Sequence, residues 1–226
     1  MKYKNIVKGV FISRPNRFIA ICNINGKDEI CHVKNTGRCR ELLVFGATVY
    51  LEKSENPMRK TLYDLVAVEK NGNLFNIDSS APNNVVFQWL NKGKLFEDFT
   101  LIRPEYKYGN SRFDFYVEHG DKKTFIEVKG VTLENNGVLM FPDAPTIRGI
   151  KHIKELEKAV KSGYEAYIIF VIQTKDALYF TPNYKTHPEF GEALKNARKN
   201  GVNIICVNCY ITVDSLEIND YIDFKL

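Results

Sequence analysis

Residues 112–130 read RFDFYVEHGDKKTFIEVKG and set an aspartate, a glutamate and a lysine as Asp114…Glu127-Val128-Lys129. Phe113, Phe115 and Val117 alternate with Arg112, Asp114 and Tyr116. On the return, Ile126 and Val128 alternate with Phe125, Glu127 and Lys129. A period of two is the signature of a half-buried strand, and His119-Gly120-Asp121-Lys122 carries tight-turn chemistry. The stretch reads as a hairpin. Centred on Gly120-Asp121, it sets Asp114 opposite Glu127 and Arg112 opposite Lys129. Residues paired across an antiparallel ladder share a face, with Cβ atoms roughly 5 Å apart.

Two carboxylates at that range repel, and like charges directly opposite destabilise a ladder. A divalent cation between them removes the conflict. Mg²⁺ is the natural candidate, being held by one or two carboxylates together with water and substrate phosphate. Lys129, on the same face, is placed to polarise a water or steady a developing negative charge. The spacing alone fits a solvated hairpin face at least as well, with Arg112 and Lys129 neutralising the acids.

At 226 residues the chain suits one large or two small domains. An apolar fraction of 44% with 12% aromatics supplies packed cores and argues against disorder. A net charge of +5 is compatible with a polyanionic partner without singling one out. No N-terminal stretch has the order of a signal peptide. The longest apolar run, residues 166–172, is too short to span a bilayer. A cytoplasmic location with no membrane partner is therefore expected. The five cysteines form an odd set, so a disulfide framework is not expected. Cys206-Val207-Asn208-Cys209 is a lone CxxC without evident metal partners, and reads as reduced cysteines on a strand.

Residues 1–80 read as short strands: 7–12, 17–23, 29–33, 48–52, 62–68 and 73–77, with turns at Asn25-Gly26 and Asn71-Gly72. Residues 37–43 interrupt them as a short helix. A five-stranded barrel with one inserted helix is the OB plan, which often presents a nucleic-acid face. Arg14, Arg17, Lys34, Arg38, Arg40, Arg59 and Lys60 are spread through its turns, as a binding face or as solubilising surface.

Ser79-Ser80-Ala81-Pro82-Asn83 marks a boundary, giving domains 1–80 and 81–226. A helix follows from near Asn84 to Gly93, then an extended stretch 99–108 and the hairpin. Residues 131–141 read as a further strand. The loop 142–146 delivers a helix to about Ser162, with Ile150, Ile153, Leu156 and Val160 as its apolar stripe. Residues 166–173 suit a strand covered on both faces. A helix 189–200 and a strand 202–207 complete an α-β-β-β-α-β order with a mixed sheet.

Glu105 is a candidate further acid, if its segment runs beside the hairpin; it reads as well as a surface residue. Arg148, Lys151 and His152 occupy the first turns of the helix after the loop, one turn apart. Free N–H groups and the dipole make a helix N-terminus a site for anions. They are candidates for a phosphate clamp or for a solvated face paired with Glu155.

The chain resembles the sugar fermentation stimulation protein (SfsA) family over essentially its whole length. The motifs are His32-Val33-Lys34-Asn35-Thr36-Gly37-Arg38, Ser111-Arg112-Phe113-Asp114-Phe115, Ile126-Glu127-Val128-Lys129, and Phe141-Pro142-Asp143-Ala144-Pro145-Thr146 with Arg148-Gly149 and Lys151-His152. The resemblance implies an N-terminal OB-like barrel and a C-terminal domain similar to the restriction-endonuclease-like PD-(D/E)XK nucleases. It also implies DNA binding without marked sequence preference and a part in regulating sugar use. On that likeness Asp114 and Glu127 match the metal-binding acids and Lys129 the motif lysine. Phe113 replaces the eponymous proline. Glu105 is the candidate upstream acid.

The resulting expectation is a nuclease using Mg²⁺ or Mn²⁺. Asp114, Glu127 and the Val128 carbonyl hold the metal, and Lys129 orients water. Arg148, Lys151, His152, Arg112, Lys34, Arg38 and Arg40 contact nucleic acid, with DNA the expected partner. The alternative is a non-cleaving, non-specific DNA-binding regulator of sugar (maltose) metabolism genes. Fold likeness does not choose between them.

Overall fold

The structure, a computed structural model, describes residues 1–35 and 37–226, so Thr36 of the first motif lies outside the described residues. Alternation in the first third of the chain produces β1 (Ile6–Asn16), β2 (Ile19–Ile24), β3 (Lys27–Val33), β4 (Thr48–Lys53), β5 (Tyr63–Lys70) and β6 (Asn73–Asn76). In β2, Ala20, Cys22 and Ile24 point into the core while Ile19, Ile21 and Asn23 are only half-buried. The turns Asn25-Gly26 and Asn71-Gly72 hold both residues at positive φ, as two-residue hairpins require.

β1 bonds to β2 and to β4, β2 to β3 and β4 to β5, all antiparallel; β3 then closes on β5 in parallel. The five strands thus form a closed barrel in the order β1-β2-β3-β5-β4, with β6 added outside β5. The expected helix at 37–43 is replaced by turns, in which Leu42 and Leu43 both donate to the Cys39 carbonyl. Two features oppose a helix there. Cys39 sits at φ 45°, and the Arg14 guanidinium takes the carbonyls of Gly37 and Arg38, which a helix over 37–43 would use as acceptors, together with that of Asn35 before them.

The second unit begins with α1 (Ala81–Asn91), earlier than expected because Pro82 sits in the first turn, where its missing N–H costs nothing. It continues through β7 (Phe99–Tyr108), β8 (Ser111–His119), β9 (Lys122–Val131), β10 (Leu133–Asn135), β11 (Val138–Phe141), α2 (Ile147–Lys161), β12 (Glu165–Ile172), β13 (Tyr179–Pro182), α3 (Pro188–Lys199), β14 (Asn203–Thr212) and β15 (Ser215–Tyr221). The main sheet runs β15-β14-β12-β9-β8-β7, with β9, β12 and β14 parallel and the outer pairs antiparallel. The architecture is mixed α/β, a closed barrel followed by a sheet-and-helix unit.

One side of this sheet packs on α1 through Val85, Val86, Leu90, Val117, Ile126 and Ile169. The other packs on α2 and α3 through Phe125, Ile153, Leu156, Phe170 and Leu194. β9 is therefore buried on both faces, where its alternation had suggested one. Residues 131–141 are not one more strand of this sheet. Asn136-Gly137, both at positive φ, turns them into the β10–β11 hairpin, and β11 pairs in parallel with β13. Among the described residues no helix is long and apolar enough to cross a membrane.

The two units are joined by polar contacts. The Gln173 amide donates to Asn76 Oδ1 at 2.9 Å and to the Asp78 carbonyl at 3.1 Å. The Arg38 backbone N–H donates to Asp143 Oδ2 at 2.7 Å, seating the β3–β4 connection against the loop before α2.

Candidate functional site

The β8–β9 ladder runs in the expected register from His119↔Lys122 to Phe115↔Ile126 and stops there. Phe113 joins Tyr116 and Phe125 in the core beneath α2, whereas Phe115 and Val117 lie in the core beneath α1. The alternation that sequence suggested is therefore broken at Asp114. Its carboxylate takes over from the ladder, accepting the Val128 N–H on Oδ2 and the Asn83 amide on Oδ1, each at 2.7 Å. Asn83 is in the first turn of α1, placed there by the early helix start.

Glu127, only 2% exposed, projects from β9 toward α2. Its Oε1 accepts from His152 Nδ1 at 2.5 Å and from the Lys129 ammonium. Its Oε2 is buried and has no hydrogen-bond partner among the described residues. Such an acceptor costs free energy unless something absent from the polypeptide satisfies it.

Electrostatics separate the two acids. Burial, and then the charge of Glu127, push the Asp114 carboxyl up to about 6, against the Val128 N–H, Lys129 and Asn83. Burial also opposes ionisation of Glu127, but the His152 hydrogen bond and the Lys129 charge outweigh it and hold that carboxyl below its ordinary value. One fixed anion beside a reluctant second one is a site short of positive charge.

Two carboxylates, one with an unsatisfied oxygen, fit a hard divalent cation of the Mg²⁺, Mn²⁺ or Ca²⁺ kind; the set lacks the thiolates and imidazoles of a structural zinc site. Among the described residues no three His, Cys, Asp or Glu side chains converge as a metal cage. Cys206 and Cys209 lie on β14 in different cores, on opposite sides of the sheet, and all five cysteines are buried free thiols.

The other candidates divide. Glu105, at φ 55°, is exposed and pairs with Arg112 at 2.8 Å, so neither residue is drawn to Asp114. His152 is buried against Glu127 instead of standing in an exposed clamp. Arg148, one turn back, is exposed and reaches His152 Nε2 at 3.4 Å, while exposed Lys151 donates to the Asn110 carbonyl at 3.1 Å. Lys34 is engaged with Asp78 and Asp64, at 3.4 and 3.6 Å. Arg38 and Arg40 are exposed and, with Arg14, Asn16 and Arg17, line a groove of about 240 Å³ on the barrel. Sequence reasoning missed Asn83, whose only signal was its place just after Pro82. It also misread the direction in which His152 faces.

Residues 12–77 match the family model for the SfsA N-terminal OB domain, and residues 80–215 that for the sugar fermentation stimulation protein RE domain. A sugar fermentation stimulation protein homolog of Clostridium beijerinckii is 59% identical over the full length of both chains. A homolog of Ruminiclostridium cellulolyticum is 57% identical, again over the full length of both. The solved structure of Pyrococcus furiosus SfsA in complex with Ca²⁺ superposes with a TM-score of 0.90 at 28% identity, covering 100% of this chain and 98% of that one. With both models matched in chain order and relatives aligned end to end, the chain belongs to the sugar fermentation stimulation protein family.

Proposed function

We propose that the chain is a divalent-metal-dependent nuclease that hydrolyses phosphodiester bonds of DNA with little sequence specificity. The observation that carries this reading is the buried, unpartnered Oε2 of Glu127 beside Asp114. Asp114 and Glu127, with the Val128 carbonyl, are the groups that would hold Mg²⁺ or Mn²⁺. Such a cation lowers the pKa of coordinated water and offsets charge on phosphate oxygens. The Ca²⁺ complex of the Pyrococcus furiosus relative supports a hard cation in this family.

Within the chain, Asn83 and the Val128 N–H hold the Asp114 carboxylate, and His152 and Lys129 hold Glu127. Lys129, whose charge also reaches Asp114, orients the attacking water. In the reaction, water oxygen bonds to phosphorus as one P–O ester bond breaks; the attacking water gives up one proton and the departing oxygen takes one up, so that water is added across the bond. The arginine-lined groove of the barrel would hold the polyanion, with Arg148 and Lys151 as further phosphate contacts. We place the protein in the cytoplasm, in keeping with its five free thiols.

A non-cleaving DNA-binding regulator is the second reading. It is favoured by the engagement of Glu105 with Arg112, which leaves two carboxylates at the site. The readings part when supercoiled, linear and single-stranded DNA and RNA are incubated with Mg²⁺ or Mn²⁺, alongside D114A and E127A. The nuclease cuts at least one substrate and both variants lose the cut. No cleavage by wild type, with variants that bind DNA as well or better, establishes the regulator instead.

A further inference from the structure

The two oxygens of Glu127 have unlike surroundings, and the difference traces to one side chain on α2. Oε1 takes two donors, His152 Nδ1 and the Lys129 ammonium; Oε2 takes none. An ionised carboxylate only accepts, so His152 Nδ1 must carry a hydrogen. Arginine only donates, and the Arg148 Nε–H lies 3.4 Å from His152 Nε2, where that nitrogen would be the acceptor. The i, i+4 spacing of Arg148 and His152 on α2 thus places a donor on the far side of the imidazole from β9, an arrangement that matches an Nδ1–H facing Glu127.

The imidazole has little freedom to do otherwise. His152 is buried, lies edge-on to the Phe113 ring at 6.5 Å, and stands on a helix whose next residue, Ile153, is locked in the core. The helix itself is fixed at its start by Thr146, whose hydroxyl caps the Gly149 N–H at 3.0 Å. The carboxylate is therefore held by its first oxygen against a rigid element, and its second meets no hydrogen-bond donor among the described residues.

We propose that His152 is a positioning residue, which through its Nδ1–H holds Oε1 of Glu127 and thereby presents Oε2 as the cation-binding oxygen. The proposal rests on the metal-site reading above. Partners of this kind fix ligand orientation, and their loss typically lowers metal affinity about 10- to 100-fold.

The test is calorimetric titration of the metal-free protein with Mn²⁺ and with Ca²⁺. It compares wild type, E127Q, H152A, H152N and H152Q, each checked for folding by circular dichroism. Asparagine places its amide near the Nδ1 position, whereas glutamine places it near Nε2. Wild type is expected to bind, E127Q to lose binding, H152A and H152Q to weaken it about tenfold or more, and H152N to recover it to within about threefold. If H152A does not fold, the H152N and H152Q pair decides alone. Equal affinity in H152N and H152Q, or unchanged affinity in H152A, overturns the positioning role while leaving the metal site standing. Absent binding in wild type, or undiminished binding in E127Q, overturns the metal site and the positioning role with it.

Discussion

Two buried acid clusters in this molecule use the same side-chain types to opposite ends. At the junction of barrel and sheet, Asp64 and Asp78 meet Lys34, Arg59 and His32. Asp64 accepts from Arg59 at 2.6 and 2.8 Å and from His32 at 2.9 Å. Asp78 accepts from the Ser80 N–H and hydroxyl, and from the Tyr3 hydroxyl. Every oxygen there has a partner. In the sheet, Asp114 and Glu127 meet Lys129 and His152, yet one oxygen has none and one carboxyl is driven toward its neutral form. Asp64 shows the reverse: burial opposes its charge, but the Arg59 and His32 hydrogen bonds and the Lys34 charge prevail and hold it low. The satisfied cluster braces the fold; on the proposed reading the unsatisfied one is where a cation would bind.

The largest effect that would break this comparison lies at the sheet site. E127A and D114A should each lose about a hundredfold or more of any metal-dependent cleavage, measured under single-turnover conditions, because the cation contributes several kcal/mol at the phosphate. Equal loss in D64A, in protein shown to be folded, would erase the distinction between the clusters.

Stability should respond with opposite signs. In chelator at neutral pH, D64A strands Arg59 and His32, while Lys34 keeps Asp78, and should lose about 2–3 kcal/mol, the partial exposure of the basic side chains lowering the cost. D114N removes a charge opposed first by burial and then by Glu127, and should gain about 1 kcal/mol, the amide oxygen keeping the Val128 N–H while Asn83 turns its own oxygen to the new NH2. Denaturant unfolding reads both, and loss of stability in D114N would contradict the account of the site.

The pH dependence sharpens the same contrast. The folded-state value of Asp114, about 6, lies above its ordinary 3.8, so the native protein binds the proton more tightly than the unfolded chain. Its contribution to stability therefore falls as pH rises through that window in metal-free protein. Asp64, held low, contributes stability above its ordinary value that is lost as pH falls through its folded value. Unfolding curves between about pH 4 and 7 should show the first slope in wild type and a flattened one in D114N. The smallest effect belongs to Glu105. Because its pair with Arg112 is exposed, E105Q should change stability by less than about 0.5 kcal/mol and leave Mn²⁺ affinity unaltered by calorimetry.

Much of the fold was legible in the chain because its signals are local. Asn25-Gly26 and Asn71-Gly72 turn where left-handed residues are needed, and the period-two strands around them follow. The three helices of the second unit show their stripes or their Pro and Gly punctuation. The helix expected at 37–43 failed because Arg14, distant in sequence, claims its carbonyls. Residues 131–141 misled through length: Asn136-Gly137 was a turn inside an apparently continuous strand.

By itself, the sequence determined the hairpin register, the charges it carries, and the candidacy of Asp114, Glu127 and Lys129, since a strand's faces and a turn's centre are short-range properties. Only the tertiary structure decided that Asp114 leaves the ladder to bind Val128 and Asn83, that Arg112 goes to Glu105, and that His152 turns inward to Glu127. Those choices depend on which helix covers which face of the sheet. Hydrogen-bond satisfaction is settled between elements far apart in the chain, and no local pattern encodes which oxygen will be left without a partner.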